Sequence, residues 1–292
     1  MEPIPGWARA WGIAVAALAA PLLVLLVIAS VMTAATTIAT VHRTASYTVG
    51  DSPRLTLDVQ PATVVVESGS PGLITIDDQH SASTITRAGA GAAVSRMSLS
   101  TTQRGDELRV RESSPLFEAA TTQRSAILRV RVPPHTDLDL TTLGDVEIQG
   151  VDARVHVGGG AGDVTLRDVT LRGDSTIGEA LGDVRLERTT VAGSLSITSR
   201  AGQVRFDGTL APGGSSLTVL GGTGDVSITL PRPTDARAVV ATQLGDLHAD
   251  PAWHFVPDQL GASHRWSADL GPNPTGSLTV GTSVGTISFG VR

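Results

Sequence analysis

Carboxylates recur at a nearly fixed step in this chain, so that series is the first candidate for chemistry. Asp145, Asp163, Asp183, Asp225 and Asp246 each follow a glycine (Gly144, Gly162, Gly182, Gly224 and Gly245), and weakened copies stand at Gly202-Gln203 and Gly285-Thr286. The glycines step by 18, 20, 20, 22, 21 and 40 residues, and the last step reads as two periods with one degraded copy. Stacked at the roughly 4.8 Å spacing of paired strands, such aspartates form a ladder. Two chemistries are open to it. The carboxylates can accept hydrogen bonds from backbone amides freed at a tight corner, or they can bind calcium, as in nonapeptide-repeat proteins. The corner is the favoured reading, because Gln203 and Thr286 interrupt the series and the period is far from that of the calcium repeats.

A second cluster lies outside this series. Trp253, His254, Phe255, His264, Arg265 and Trp266 fall close together, flanked by Pro251, Pro257, Pro272 and Pro274. Large aromatics suit the covering of an open β end, so this segment reads first as a cap. The alternative is a recognition patch whose indole faces receive a sugar ring or a partner's side chain. A third group, Arg167, Arg185, Arg188 and Arg205 beside Asp168, Glu187 and Asp207, reads as a solvated face of mixed charge, with anion or glycan recognition as the alternative. His156 and His248 fall at outward strand positions and read as ordinary exposed residues.

Composition removes several function classes. The chain has no cysteine, which excludes disulfides, thiolate metal sites and cysteine nucleophiles. All 22 basic residues are arginine, so neither Schiff-base chemistry nor a P-loop is available. There is no His-Glu-x-x-His and no Gly-x-Ser-x-Gly, and the histidines of the repeats have no metal-ligand spacing. The expectation is no catalytic residue, no cofactor and no metal. A net charge of −6 argues against nucleic acid and against bulk attraction to anionic lipid.

The elements that hold these residues are strands. Residues 54–59, 63–66 and 73–76 alternate apolar and polar side chains and are rich in β-branched residues. Residues 77–126 are less regular and read as loops or a protruding hairpin, with 97–99 and 108–110 pairing across Arg104-Gly105-Asp106. From 137 onward one module repeats: strand, glycine corner, strand. Val155 and Val157, then Val164 and Leu166, share an inward face. A third apolar element at Val151, Val169/Leu171, Val191 and Leu210 implies a third side to each coil. Units this small cannot bury their own apolar faces and must stack. The fold expected is therefore all-β, a β-solenoid of coils of about 20 residues.

Residues 11–32 carry no charge, which is long enough as a helix to cross a bilayer, and Trp7 and Trp11 sit at its edge. The organisation expected is a short cytoplasmic tail (1–10), a transmembrane helix (11–34), a stalk (35–50) and a solenoid domain (51–292). Within that domain, 51–134 is less regular, 135–249 carries the regular repeats, and 250–292 is an end segment with the last coil. A cleaved signal peptide is the alternative for the first segment.

The run Val130-Arg131-Val132-Pro133, followed by Asp137-Leu138-Asp139-Leu140-Thr141-Thr142-Leu143-Gly144-Asp145-Val146-Glu147-Ile148-Gln149-Gly150, resembles the bacterial adhesin-like β-strand-repeat family. The resemblance covers roughly 51–292 and departs from the pattern at 77–126 and 250–275. It implies an envelope β-solenoid, often behind one membrane helix, and carries no catalytic residues to transfer. The function expected is a membrane-anchored, extracytoplasmic structural or interaction module at the cell envelope. Its partners would be the membrane through the N-terminal helix and an envelope glycan or membrane protein. The alternatives are a ligand-sensing accessory of an envelope-stress system and, behind it, a β-helical carbohydrate-active enzyme.

Overall fold

The computed structural model describes residues 37–59, 62–84, 86–113, 123–160, 162–257 and 264–292. The expected tail and transmembrane helix at 1–34 lie outside the described residues. Among the described residues no helix is long and apolar enough to cross a membrane.

Alternating residues give strands whose side chains point in and out by turns, and each coil contributes one strand to each of two sheets. Asp152–Gly158 pairs in parallel with Asp137–Thr142 on one side and Asp174–Ala180 on the other. Across the corner, Val164–Arg167 lies parallel between Val146–Gln149 and Val184–Val191. The expected third side is present as a short ladder in which Asp152-Ala153, Thr170-Leu171, Thr190-Val191 and Thr209-Leu210 lie in register. Inward residues from all three sides, among them Val155, Leu166, Leu171, Leu186, Val191, Ile197 and Phe206 at no more than 1% exposure, join one continuous core. Strands buried on one face and salted on the other need this closed coil, since neither sheet could cover itself.

The order of coils in space departs from the order in sequence at both ends. Arg54–Val59 lies between Glu107–Ser113 and Asp137–Thr142, so the coil at 107–132 is outermost although a later coil follows the earlier one in sequence. At the far end Gly276–Val284 is inserted between Ser216–Thr223 and Ala236–Leu244. The 40-residue step between Gly245 and Gly285 is therefore not two periods with a degraded coil between them. Its middle returns as an antiparallel strand, His264–Asp269, on the exposed edge of Ala236–Leu244. Antiparallel strands also finish the first end: Ser98–Arg104 folds onto Glu107–Ser113 through Gly105-Asp106, and Leu73–Thr84 lies between Gln123–Val132 and Thr37–Thr48. Exposed parallel edges invite pairing with other chains, and these reversals occupy them.

Three segments differ from the sequence reading, the first being residues 77–84, expected as part of a loop, which continue the strand Leu73–Thr84. Residues 37–48 of the expected stalk form a 12-residue strand in unbroken register with 73–84. Residues 87–95, expected as part of a loop, form a helix, Arg87–Ser95, capped by Thr86 Oγ1, which accepts the Gly89 N–H at 3.1 Å. Gly89 and Gly91 lower its intrinsic propensity, and tertiary packing of Ala90, Ala93 and Val94 outweighs that.

The corner glycines explain the regular step. A Cβ on Gly162 would stand 2.6 Å from the Gly144 carbonyl carbon, and one on Gly224 would stand 2.1 Å from the Gly202 oxygen. Gly224 also has φ +138, a region closed to other residues, whereas at Gly162 the close approach alone is the reason. Replacing Gly224 by alanine should therefore cost about 1–3 kcal/mol from overpacking and backbone strain. Urea unfolding of Gly224→Ala against Gly158→Ala, where nothing stands within 4 Å, checks this; equal midpoints would contradict it.

Candidate functional site

At the glycine corners the aspartates bond from coil to coil. Asp145 Oδ1 accepts the N–H of Asp163 at 2.9 Å, Asp163 Oδ1 that of Asp183 at 2.9 Å, and Asp183 Oδ1 that of Gln203 at 2.9 Å. Asp225 Oδ1 accepts the N–H of Thr286 at 2.8 Å, again the next coil in space and not in sequence. Each carboxylate thus takes an amide that the turn frees from the sheet ladder, on the neighbouring coil and not its own. Gln203 and Thr286 stand at the donor ends of this series, giving a backbone N–H and carrying no carboxylate onward. Just before three of the corner glycines a hydroxyl does complementary work. Thr142 Oγ1, two residues before Gly144, donates to the Ala62 carbonyl at 2.9 Å and accepts the Gly144 N–H at 3.0 Å, while Ser199 and Thr282, three residues before Gly202 and Gly285, donate to the Ala180 and Gly224 carbonyls at 3.5 and 3.4 Å. Asp246 lies in the outermost coil at the far end, where Ile287 donates to its backbone carbonyl at 3.0 Å. No group of three or more possible metal ligands occurs among the described residues.

The outward arginines are tied across coils. Arg188 holds Asp168 with two bonds of 2.6 and 2.7 Å, which keeps that carboxyl below the usual carboxylate range. Both residues have positive φ, so the ion pair joins two left-handed corners. Arg167 reaches Glu147 on one side and Glu187 at 3.3 Å on the other, Arg185 reaches Asp163 of the neighbouring coil at 3.5 Å and Asp183 of its own coil at 2.5 Å, and Arg292 reaches Asp207 at 3.2 Å. Exposed pairs of this kind contribute little stability each. They neutralise the wall.

The end cluster divides. Trp253 is 4% exposed, its Nε1 donates to the Gly290 carbonyl at 3.3 Å, and the Arg232 guanidinium lies 5.8 Å from its ring centre. Phe255 tilts against Phe289 with centroids 5.0 Å apart. These two rings cover the last coil. His264 and Arg265 are exposed and Trp266 half-buried on the antiparallel strand, with the His264 and Trp266 rings 5.9 Å apart, while His254 is exposed beside the cap. The surface this segment exposes is therefore His254, His264, Arg265 and part of Trp266, since the Trp253 face is occupied.

Sequence reasoning missed a third cluster. His80 and Asp78, on Leu73–Thr84, and Glu112, on Glu107–Ser113, meet between the two sheets with side chains 4%, 5% and 1% exposed. His80 Nε2 stands 2.9 Å from Asp78 Oδ1 and 3.7 Å from Glu112 Oε1. Both approaches fall short of hydrogen-bond geometry, and the two oxygens have no hydrogen-bond partner. Burial pushes the Glu112 carboxyl up to about 7, with His80 opposing and Asp78 adding to the rise. The contact with Asp78 raises His80 above its ordinary value, against the effect of burial. The sequence signal was available: in the alternation of 73–84, Asp78 and His80 fall on the same face as Ile74 and Ile76.

A family model described as Toastrack DUF4097 matches residues 106–288. Three solved structures are similar to the chain. A candidate cell adhesion protein of Clostridium sporogenes is 9% identical, with 86% of this chain and 100% of that one covered and a TM-score of 0.34. A candidate adhesin of Bacteroides fragilis is 11% identical, with 85% and 97% covered and a TM-score of 0.35. A candidate lipid binding protein of Parabacteroides distasonis is 12% identical, with 85% and 96% covered and a TM-score of 0.40. No curated protein matches the chain.

Removing one rung of the corner ladder, Asp163→Ala, takes the protein acceptor from the exposed Asp183 N–H and should cost about 0.5–1.5 kcal/mol in chemical unfolding. Asp163→Asn keeps an acceptor oxygen and should lose less; the reverse ranking would show that charge, not the hydrogen bond, carries the effect. The buried cluster sets a pH dependence. The folded state holds the Glu112 proton to about pH 7, whereas the usual carboxyl value is 4.5, so its contribution to stability falls as pH rises between those values. His80 acts in the same direction, because its raised value stabilises the fold below the ordinary histidine range and that gain is lost as pH rises. Glu112→Gln should remove about 3 kcal/mol of the loss between pH 4.5 and 8. Parallel stability-against-pH curves for the variant and the natural chain would contradict this.

Proposed function

The chain belongs to the Toastrack DUF4097 family, and from that premise we propose that it is a membrane-anchored, extracytoplasmic interaction module that displays a rigid β ladder at the cell envelope. The observation that carries this reading is the unbroken parallel stack. Each sheet runs without a gap from the coil at 107–132, through 54–68 and the regular repeats, to 276–291 and 236–249. Eight steps at strand spacing give a rod of roughly 38 Å. Its outer wall is closed by paired charges, so adhesive contact falls to the features that project from it: the exposed corner residues Leu143, Leu181, Leu244 and Val284, and His264, Arg265 and Trp266 at the far end. The uncharged segment 11–32 supplies the anchor, and the strand beginning at Thr37 supports a domain seated directly on it instead of on a long stalk.

The second reading, a sensing accessory of an envelope regulatory system, is favoured by the buried His80, Asp78 and Glu112 cluster. That cluster sits at the end of the rod from which the chain leads back toward 11–34.

Because the chain has no cysteine, Thr198→Cys at an exposed strand position provides a single label site. The full chain should remain in the membrane fraction after alkaline extraction, and a membrane-impermeant maleimide should label it on intact cells. Labelling only after lysis, or release into the soluble fraction, would overturn the reading.

A further inference from the structure

Along the inward face of Leu73–Thr84 the residues run Ile74, Ile76, Asp78, His80, Ala82 and Thr84. Ile74 and Ile76 belong to the main core. Ala82 belongs to a separate small cluster with Ala93 and Val94 of the helix, and Ala39 packs on it. Asp78 and His80 therefore occupy the seam between two hydrophobic clusters, and Glu112 reaches that seam from the opposite sheet. Apolar contact is interrupted there, and three ionisable groups take its place. The lobe beyond the seam consists of residues 37–40, the outer half of Leu73–Thr84 and the helix Arg87–Ser95, whereas residues 44–48 run beside 73–77 and Tyr47 packs on the main core.

The surroundings offer little compensation. Asp78 stands in register with Arg43 on one side and Leu128 on the other, and His80 with Val41 and Ala126. The helix contributes Ala90, Ala93 and Val94 to its buried face. Arg43 is thus the one charged group, besides the three themselves, that these neighbouring positions present. Asp78 Oδ1 and Glu112 Oε1 are buried without hydrogen bonds. Buried carboxylates in that condition are costly as anions and cheap when a proton is present.

We propose that the seam is a proton-operated latch: protons held by His80 and Glu112 keep the lobe docked on the end of the stack, and their loss leaves two facing buried carboxylates that release it. Release means a local opening of the helix and of residues 37–40, while residues 44–48 and the coils beyond stay folded on the main core. The elevated proton affinities of His80 and Glu112 place the transition near neutral pH. The latch rests on the sensing reading only for its consequence, which is that the segment it frees leads to the membrane segment.

The test uses the full chain in detergent or nanodiscs with one introduced thiol. Ala93→Cys places it on the buried face of the helix, and Ala92→Cys on the exposed face as a reference for thiolate ionisation. The ratio of labelling rates, buried over exposed, reports opening. Opening coupled to loss of one proton changes by up to about tenfold per pH unit, so the ratio should rise at least about tenfold between pH 6 and 8.5. Over the same range the fluorescence of Trp253 and Trp266, at the far end, should stay constant in a chain that also carries Trp7→Phe and Trp11→Phe. Glu112→Gln, with Glu112→Met in parallel, should flatten the rise. A flat ratio in the Ala93→Cys chain itself overturns the latch whatever the Glu112 variants do, and so does an unchanged rise in a folded Glu112 variant. Because the ratio is read wherever the chain resides in the cell, failure of the latch is distinguishable from failure of the membrane reading, which the Thr198→Cys labelling decides.

Discussion

Everything in this structure depends on one close approach, the stacking of backbone on backbone at the corners of successive coils. The Gly202 oxygen lies where a Cβ on Gly224 would be, and the Gly224 oxygen where one on Gly285 would be. Nothing larger than hydrogen fits between the rungs. Once the coils are that close, the side chains of Asp145, Asp163, Asp183 and Asp225 can reach the next coil's amide, and Thr142, Ser199 and Thr282, two or three residues before their glycines, can reach the previous coil's carbonyl. Glycine, aspartate and hydroxyl are three parts of one solution to the problem of turning a chain sharply without orphaning its polar groups.

The same stacking sets the problem of the ends. A parallel ladder exposes donors and acceptors at its last strand, and both ends solve this with chain reversal. The outermost coils are not the first and last in sequence, and each is paired on its outer edge by an antiparallel strand. At the far end Trp253 and Phe255 then cover the final layer. At the near end the cover is a small helix on a polar seam, a less apolar solution that leaves ionisable groups buried. The asymmetry separates a fixed cap from one whose docking depends on protons.

Local periodicity made the middle of the chain legible. The recurrence of Gly-Asp, the two-residue alternation and the third apolar element at Val169, Leu171 and Val191 all correspond to observed sides of the coil. The hairpin across Gly105-Asp106 was legible for the same reason, since a short turn sits between two alternating runs. Spatial order was not legible, because the register residues of Ser216–Thr223, Ala236–Leu244 and Gly276–Val284 are nearly interchangeable by pattern: any of them fits beside any other. The helix at Arg87–Ser95 was hidden by its glycines, and the strand Thr37–Thr48 by its weak alternation, its exposed residues giving no core face to read. The aromatic segment was readable as a cap. The buried carboxylates were passed over because one acidic residue in an alternating strand looks like solvent-facing polarity until the partner sheet is in place.

The insertion of the last coil is the point at which this account departs furthest from a simple serial repeat, and a cysteine-free chain allows it to be measured directly by disulfide trapping. Thr218 and Thr279 are register partners on adjacent strands, and Thr279 is also the partner of Val239. Adjacent strands place such pairs about 4.8 Å apart, within disulfide range, whereas Thr218 and Val239 are two steps apart at roughly 9.6 Å, beyond it. Oxidation of Thr218→Cys with Thr279→Cys should form an intramolecular bond quantitatively, and Thr218→Cys with Val239→Cys should not. A bond in the second pair and none in the first would restore serial stacking and contradict the order of coils on which the caps, and the ladder from Asp225 to Thr286, depend.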